Sequence, residues 1–175
     1  MMFEILKSEL MYTGRAFKVQ RVTARMPNGK ERFFDLVDHA SSVTLIPVTA
    51  AGEILMIRQY RIGTGQMLLE LPAGVLDEGE NPLDGARREL REETGMDARV
   101  LKELGAAYLS PGYCNEYMHF ILAREISESP LDPDEDEFMA MEAYPMAEVY
   151  RMARAGEIHD SKSLAALLLA QAELL

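Results

Sequence analysis

The chain has 175 residues, 48% of them hydrophobic and 27% charged, with a formal net charge of −11 and a single cysteine. That length gives one domain, or one domain with an appendage, and room for a sizeable core. The acidic balance argues against a broad nucleic-acid or anionic-membrane surface, which needs clustered Lys and Arg, but leaves open a small phosphate-bearing substrate once a metal is bound. Cys114 has no internal disulfide partner, which suits a reducing cytoplasm. The opening MMFEILKSEL carries charges where a signal peptide needs an apolar stretch, and the longest apolar run, 164–170, is too short to span a bilayer. Three scattered His and one Cys offer no zinc spacing.

Residues 3–11 and 17–26 have strand composition, and Pro27-Asn28-Gly29-Lys30 predicts a hairpin turn leading into a third strand at 32–38. A three-stranded antiparallel piece can hardly bury both faces alone, so it is expected to pack on the main domain or on a second subunit. His39-Ala40-Ser41 marks the junction, giving an appendage over 1–41 and a main domain over 42–175. The apolar run 43–49 reads as a buried strand, Ala51-Gly52 as a turn, and 54–60 as its antiparallel neighbour, closed by Arg58, Gln59, Tyr60 and Arg61. A short strand at 67–71 delivers Glu70 and Ala73 to a loop and helix at 74–96. Strands at 98–108 and 117–124 follow, joined by SPGYCNE. After an acidic loop, SESPLDPDEDE, come a strand at 138–144 and a helix at 146–154 that stops near Gly156. Asp160 or Ser161 caps a final helix whose Leu164, Leu167, Leu168 and Leu174 make one apolar face. The alternation reads as an α/β sandwich.

The segment 74–96, GVLDEGENPLDGARRELREETGM, organises the rest. Gly74, Gly79, Asn81 and Pro82 make its first half a loop. Asn81 as N-cap, Pro82 at the first helical position and Gly95 as a left-handed C-cap bound a helix. On that helix Glu89, Glu92 and Glu93 share one arc, with no basic residue between them. Leu83, Ala86 and Leu90 occupy the neighbouring, core-facing arc, and Gly85 leaves the acidic face bare upstream. Three carboxylates at such spacing repel by about 0.2–0.5 kcal/mol per pair, a cluster that makes sense if a cation belongs among them. A hard divalent ion, Mg²⁺ or Mn²⁺, fits all-carboxylate ligation better than zinc does. Glu89 and Glu93, one turn apart, can grip one ion, with Glu92 an adjacent ligand or a base. Glu80 and Arg88 read as an ion pair holding the loop on the helix. The competing reading is a solvated acidic face, which leaves Gly74 and Glu80 without a purpose.

Gly74, Glu80, Arg88, Glu89, Glu92, Glu93, Gly95 and the bulky Leu90 and Met96 satisfy Gly-x5-Glu-x7-Arg-Glu-U-x-Glu-Glu-x-Gly-U. This resembles the signature of the Nudix hydrolases, and its seven fixed residues coincide by chance at about one start position in 10⁸. IRQYR, LLELPAG and SPGYCNE look like the ADP-ribose pyrophosphatase branch. The resemblance implies a mixed sheet between helices, with a small N-terminal antiparallel sheet exchanged across a homodimer. It implies a Mg²⁺ (or Mn²⁺) dependent hydrolase cutting a nucleoside diphosphate sugar, and an Ala73 carbonyl that joins Glu89 and Glu93 as a metal ligand. It further implies a general base in the acidic loop. On that resemblance Glu135 is expected as the base and Glu137 as an additional metal contact, with Asp134 and Asp136 as alternatives, whereas composition alone reads DPDEDE as a solvated acidic loop. Glu116 matches a family position near the terminal ribose.

Around that centre Arg61 is a natural phosphate clamp at a strand end, and Arg58 its close alternative. Either could instead be a surface arginine. Glu70 is placed to contact a ribose or the base, or is an ordinary exposed carboxylate, as Glu116 could also be. Phe33 and Phe34 offer an aromatic face for adenine or simple core packing. Cys114 lacks a basic partner in sequence and reads as an incidental thiol. ADP-ribose is the leading substrate and another nucleoside diphosphate sugar the alternative. A non-catalytic sensing domain is disfavoured by the intact carboxylate set. RNA decapping is disfavoured by the acidic surface.

Overall fold

A computed structural model describes residues 2–131 and 139–174. The chain forms two compact units, one of residues 1–41 with 108–117 and one of residues 42–107 with 118–175.

In the first unit β1 (Glu4–Thr13), β2 (Phe17–Arg25) and β3 (Glu31–His39) form an antiparallel sheet in sequence order. Gly29, at a φ of 79°, closes the expected hairpin by donating to the Met26 carbonyl at 2.8 Å. The loop 109–116 adds itself to the edge of β3. Val37 N–H donates to the Tyr113 carbonyl at 2.7 Å, Asn115 N–H to the Val37 carbonyl at 3.2 Å, and Asn115 Nδ2 to Asp38 Oδ1 at 2.8 Å. Much of this unit's apolar surface stays uncovered: Ile5, Leu10, Met11 and Tyr12 are all exposed. Core packing also fails as an account of Phe33, which is 72% exposed, while Phe34 meets Phe3 edge-on with ring centroids 5.9 Å apart. A thin sheet offers these rings no second layer to enter.

The second unit holds two sheets. One is antiparallel, in the order β10 (Met139–Pro145), β5 (Glu53–Arg61), β6 (Gln66–Glu70). The other is mixed, in the order β7 (Ala73–Val75), β4 (Ser42–Pro47), β9 (Tyr117–Glu128), β8 (Met96–Tyr108), with β4 parallel to β9. Every residue of β4 is buried, as its apolar run demands of a central strand covered on both faces. Helix α1 (Pro82–Thr94) packs on β4 and β7, α2 (Met146–Ala155) on β10 and β5, and α3 (Ser161–Leu174) on β4. The core under α1 joins Val43, Leu45, Leu76, Ala86, Leu90 and Ile121. This is the α/β arrangement of mixed sheet and flanking helices expected from the sequence.

Three local expectations change. Leu83 stands exposed, because α1 turns Ala86 and Leu90 inward instead. Gly85 does not leave a bare surface. An added Cβ would lie 2.2 Å from Leu76 Cδ2 and 3.0 Å from Glu80 Oε2, so the missing side chain lets the loop press onto the helix. On α3 the buried stripe is Lys162, Ser163, Ala166, Leu167 and Ala170, whereas Leu164 is exposed and Leu168 is 70% exposed. Small side chains let this helix approach β4 closely and leave Leu164 and Leu168 outside.

Candidate active site

The local sequence of α1 sets its frame. Asn81 Oδ1 accepts from the Leu83 N–H at 2.9 Å, Pro82 opens the helix, and Gly95 at a φ of 70° ends it in the left-handed conformation. The frame presents Glu89 and Glu93, 7% and 9% exposed, towards the turn 71–74.

That turn is held from four directions. Leu71 N–H donates to Ser163 Oγ at 2.7 Å, and the Pro72 carbonyl accepts from Leu45 N–H at 2.8 Å and Thr44 Oγ1 at 3.1 Å. Ala73 N–H donates to Glu93 Oε2 at 2.8 Å. Gly74 lies so near Glu89 that a Cβ there would stand 1.9 Å from its Cδ. The sequence read residues from Gly74 onward as loop, but Ala73–Val75 pairs with β4 as a three-residue strand, in the register Thr44 with Ala73.

Arg88 spans the acidic groups. Its Nε and Nη2 donate to Glu80 at 3.1 and 2.8 Å, and Nη2 also reaches the Val75 carbonyl at 3.0 Å. Its Nη1 donates to Glu89 Oε1 at 2.6 Å and to Glu92 Oε2 at 3.1 Å. The expected Glu80–Arg88 pair is present, and its hydrogen bonds hold the Glu80 carboxyl below the ordinary carboxylate range. The expectation of a purely acidic arc needs correction. The arginine preceding Glu89 reaches sideways across one turn and offsets part of the repulsion.

Both candidate clamps have carboxylate partners. Arg58 donates from Nε to Glu142 Oε1 at 2.8 Å and from Nη2 to Glu142 Oε2 at 3.3 Å. Arg61 pairs with Glu70 through Nε and Nη2 at 2.8 and 2.6 Å. Glu70 is therefore no exposed carboxylate: it is 1% exposed and also accepts from Lys162 Nζ. Burial pushes its carboxyl up, but the hydrogen bonds and charges of Arg61 and Lys162 outweigh that and leave it below the ordinary range. Lys162 and Ser163 were absent from the sequence reading. Their signal was the stripe Ser163, Ala166, Leu167, Ala170 at helical spacing, which the more numerous leucines obscured.

Glu116 belongs to the first unit, where its N–H donates to Cys114 Sγ at 3.4 Å. Cys114 is a buried free thiol. Glu135 and Glu137, with Asp134 and Asp136, lie outside the described residues. Among the described residues no three His, Cys, Asp or Glu side chains close into a metal cage. Two positioned carboxylates beside a backbone turn are instead the partial, all-oxygen set that suits an ion retaining much of its water, as Mg²⁺ does.

The NUDIX domain family matches residues 38–167, the region that contains the whole loop–helix site. The chain belongs to the NUDIX family. An ADP-ribose pyrophosphatase of Bacillus subtilis (strain 168) is 34% identical over 93% of this Nudix chain and 89% of its own length. An ADP-ribose pyrophosphatase of Mycobacterium tuberculosis (strain ATCC 25618 / H37Rv) is 38% identical over 95% of this chain and 82% of its own. A crystal structure of an ADP compounds hydrolase superposes with a TM-score of 0.88 at 26% identity, covering 98% of this chain and 94% of that one. Among the described residues no helix of this Nudix chain is long and apolar enough to cross a membrane.

Proposed function

We propose that this Nudix hydrolase cleaves the diphosphate of ADP-ribose to AMP and ribose 5-phosphate with Mg²⁺, or Mn²⁺, as its cofactor. The observation that carries this reading is the fixed relation between helix and turn. Glu93 holds the Ala73 N–H at 2.8 Å, and Glu89 fills the space that a side chain on Gly74 would take. Water attacks a diphosphate slowly because the anionic oxygens repel the nucleophile. A divalent ion, when bound, neutralises those oxygens and makes water at the phosphorus more acidic.

Glu89, Glu93 and the Ala73 carbonyl would hold that ion, with Glu137 as a further contact. Glu92, reached by Arg88, is the adjacent ligand or a base. Glu135 takes the proton from the attacking water as its oxygen bonds to phosphorus and the bridging P–O bond breaks. Arg61, near enough to Glu93 to feel its charge, pairs with phosphate oxygens, and Arg58 is its alternative. Glu116 binds the terminal ribose. The active species is a cytoplasmic homodimer that covers the exposed apolar face of the first unit's sheet.

Incubation of the full chain with ADP-ribose and Mg²⁺ should release AMP and ribose 5-phosphate in equal amounts, and EDTA should stop it. Turnover confined to another nucleoside diphosphate sugar would replace the substrate while keeping the chemistry. No turnover of any such compound would leave only a sensing role.

A further inference from the structure

Four charged side chains, those of Arg61, Glu70, Asp160 and Lys162, meet at the start of α3. Glu70 receives two hydrogen bonds from Arg61 and one from Lys162 Nζ. Lys162 Nζ also lies 2.9 Å from Asp160 Oδ2, which accepts from Ser163 N–H at 3.0 Å and Ser163 Oγ at 2.5 Å. Ser163 Oγ in turn accepts the Leu71 N–H. The cluster has two cations and two anions, yet both cations converge on the single buried carboxylate of Glu70. The Arg61 side chain is 39% exposed, against 10% for Lys162 and 1% for Glu70.

One counter-ion would satisfy Glu70 while Arg61 stays in place. A second matters if Arg61 has another partner to serve. Were Arg61 the sole counter-ion, drawing its guanidinium toward a phosphate would strand a buried charge, an unfavourable step in a low-dielectric interior. Lys162 removes that obstacle. Its short reach from the first turn of α3, flanked by Asp160, keeps Glu70 neutralised wherever Arg61 points.

We propose that Lys162 is a positioning residue for the diphosphate: it holds the charge of Glu70 so that Arg61 can turn toward substrate phosphate. Glu70 then acts through Arg61 and does not touch a ribose or a base. This rests on the reading of Arg61 as the phosphate clamp.

Steady-state kinetics of the full chain on ADP-ribose with Mg²⁺ tests it. Lys162→Met should raise KM about tenfold with kcat changed by less than about threefold, and Lys162→Arg should restore the original KM. The pair Lys162→Met with Glu70→Gln should also return KM to within about threefold, because no charge remains to capture Arg61. A purely structural pin would give the opposite result, with the pair at least as defective as Lys162→Met alone. That outcome, or an unchanged KM in Lys162→Met, overturns the proposal. Should Lys162→Met fail to fold by thermal melting, the charge-neutral pair decides alone: KM near the original supports the role, and a rise of about tenfold rejects it. Arg61→Ala, run in parallel, separates the two readings. An unchanged KM there removes the clamp itself, whereas a raised KM beside an unaffected Lys162→Met removes only the role of Lys162.

Discussion

At the scale of single residues, close approach matters more than charge count. Gly74 is required because the Glu89 carboxylate occupies the place of its absent side chain. Gly74→Ala should fold yet lower kcat/KM by about 100-fold, since a displacement of about 1 Å at a reacting site has that cost. Activity within a few-fold of the original would show that the contact is incidental. Glu70 gives a prediction about acid stability. Its folded pKa is depressed, because Arg61 and Lys162 outweigh its burial. The stabilisation is therefore fully present above the unfolded value of about 4.3 and lost as pH falls through the folded one. Urea midpoints followed from about pH 6 down to about pH 3 should fall less steeply in Glu70→Gln than in the original chain. Parallel curves would refute the assignment. The signature residues were legible because the motif is a set of fixed offsets. The sideways reach of Arg88 to Glu92 and the burial of Glu70 were not, because each depends on partners supplied by folding.

At the scale of elements, α1 is encoded locally and α3 is not. Asn81, Pro82 and Gly95 are capping signals whose physics needs no neighbour, and all three occupy the positions expected of them. Asn81→Ala should lower stability by about 1 kcal/mol in urea unfolding while leaving KM unchanged. Leu90→Ala, in the sealed core beneath the helix, should cost about 2–5 kcal/mol. An equal, small cost for both would mean that α1 is not anchored through that core. On α3 the leucines suggested one face and the small residues define another. Ser163, Ala166 and Ala170 are buried because the helix backbone lies close to β4, and Ser163 turns a polar group to the Leu71 N–H. A hydrophobicity count cannot see that, since the deciding interaction is a hydrogen bond spanning 92 residues.

At the scale of the whole molecule, the described strands other than β7, and helices α1 to α3, follow the chain order read from sequence, with ends shifted by up to four residues. What local pattern could not give was the membership of loop 109–116 in the first unit, since its pairing to β3 joins residues far apart in sequence. The first unit also exposes a groove of about 250 Å³ lined by Phe3, Ile5, Val22, Phe34, Leu36 and Tyr113. We take this exposed apolar face as the contact of the proposed homodimer. Light scattering should find the full chain dimeric, and Leu10→Asp with Phe33→Asp should yield monomer; a monomeric original chain would contradict this. The catalytic reading depends most on the ion held by α1. Titration of Mg²⁺ into the full chain, with a non-hydrolysable ADP-ribose analogue present, should give saturable heat that disappears in the folded Glu89→Gln, Glu93→Gln double variant. Equal heats for both proteins, or none for either, would contradict it.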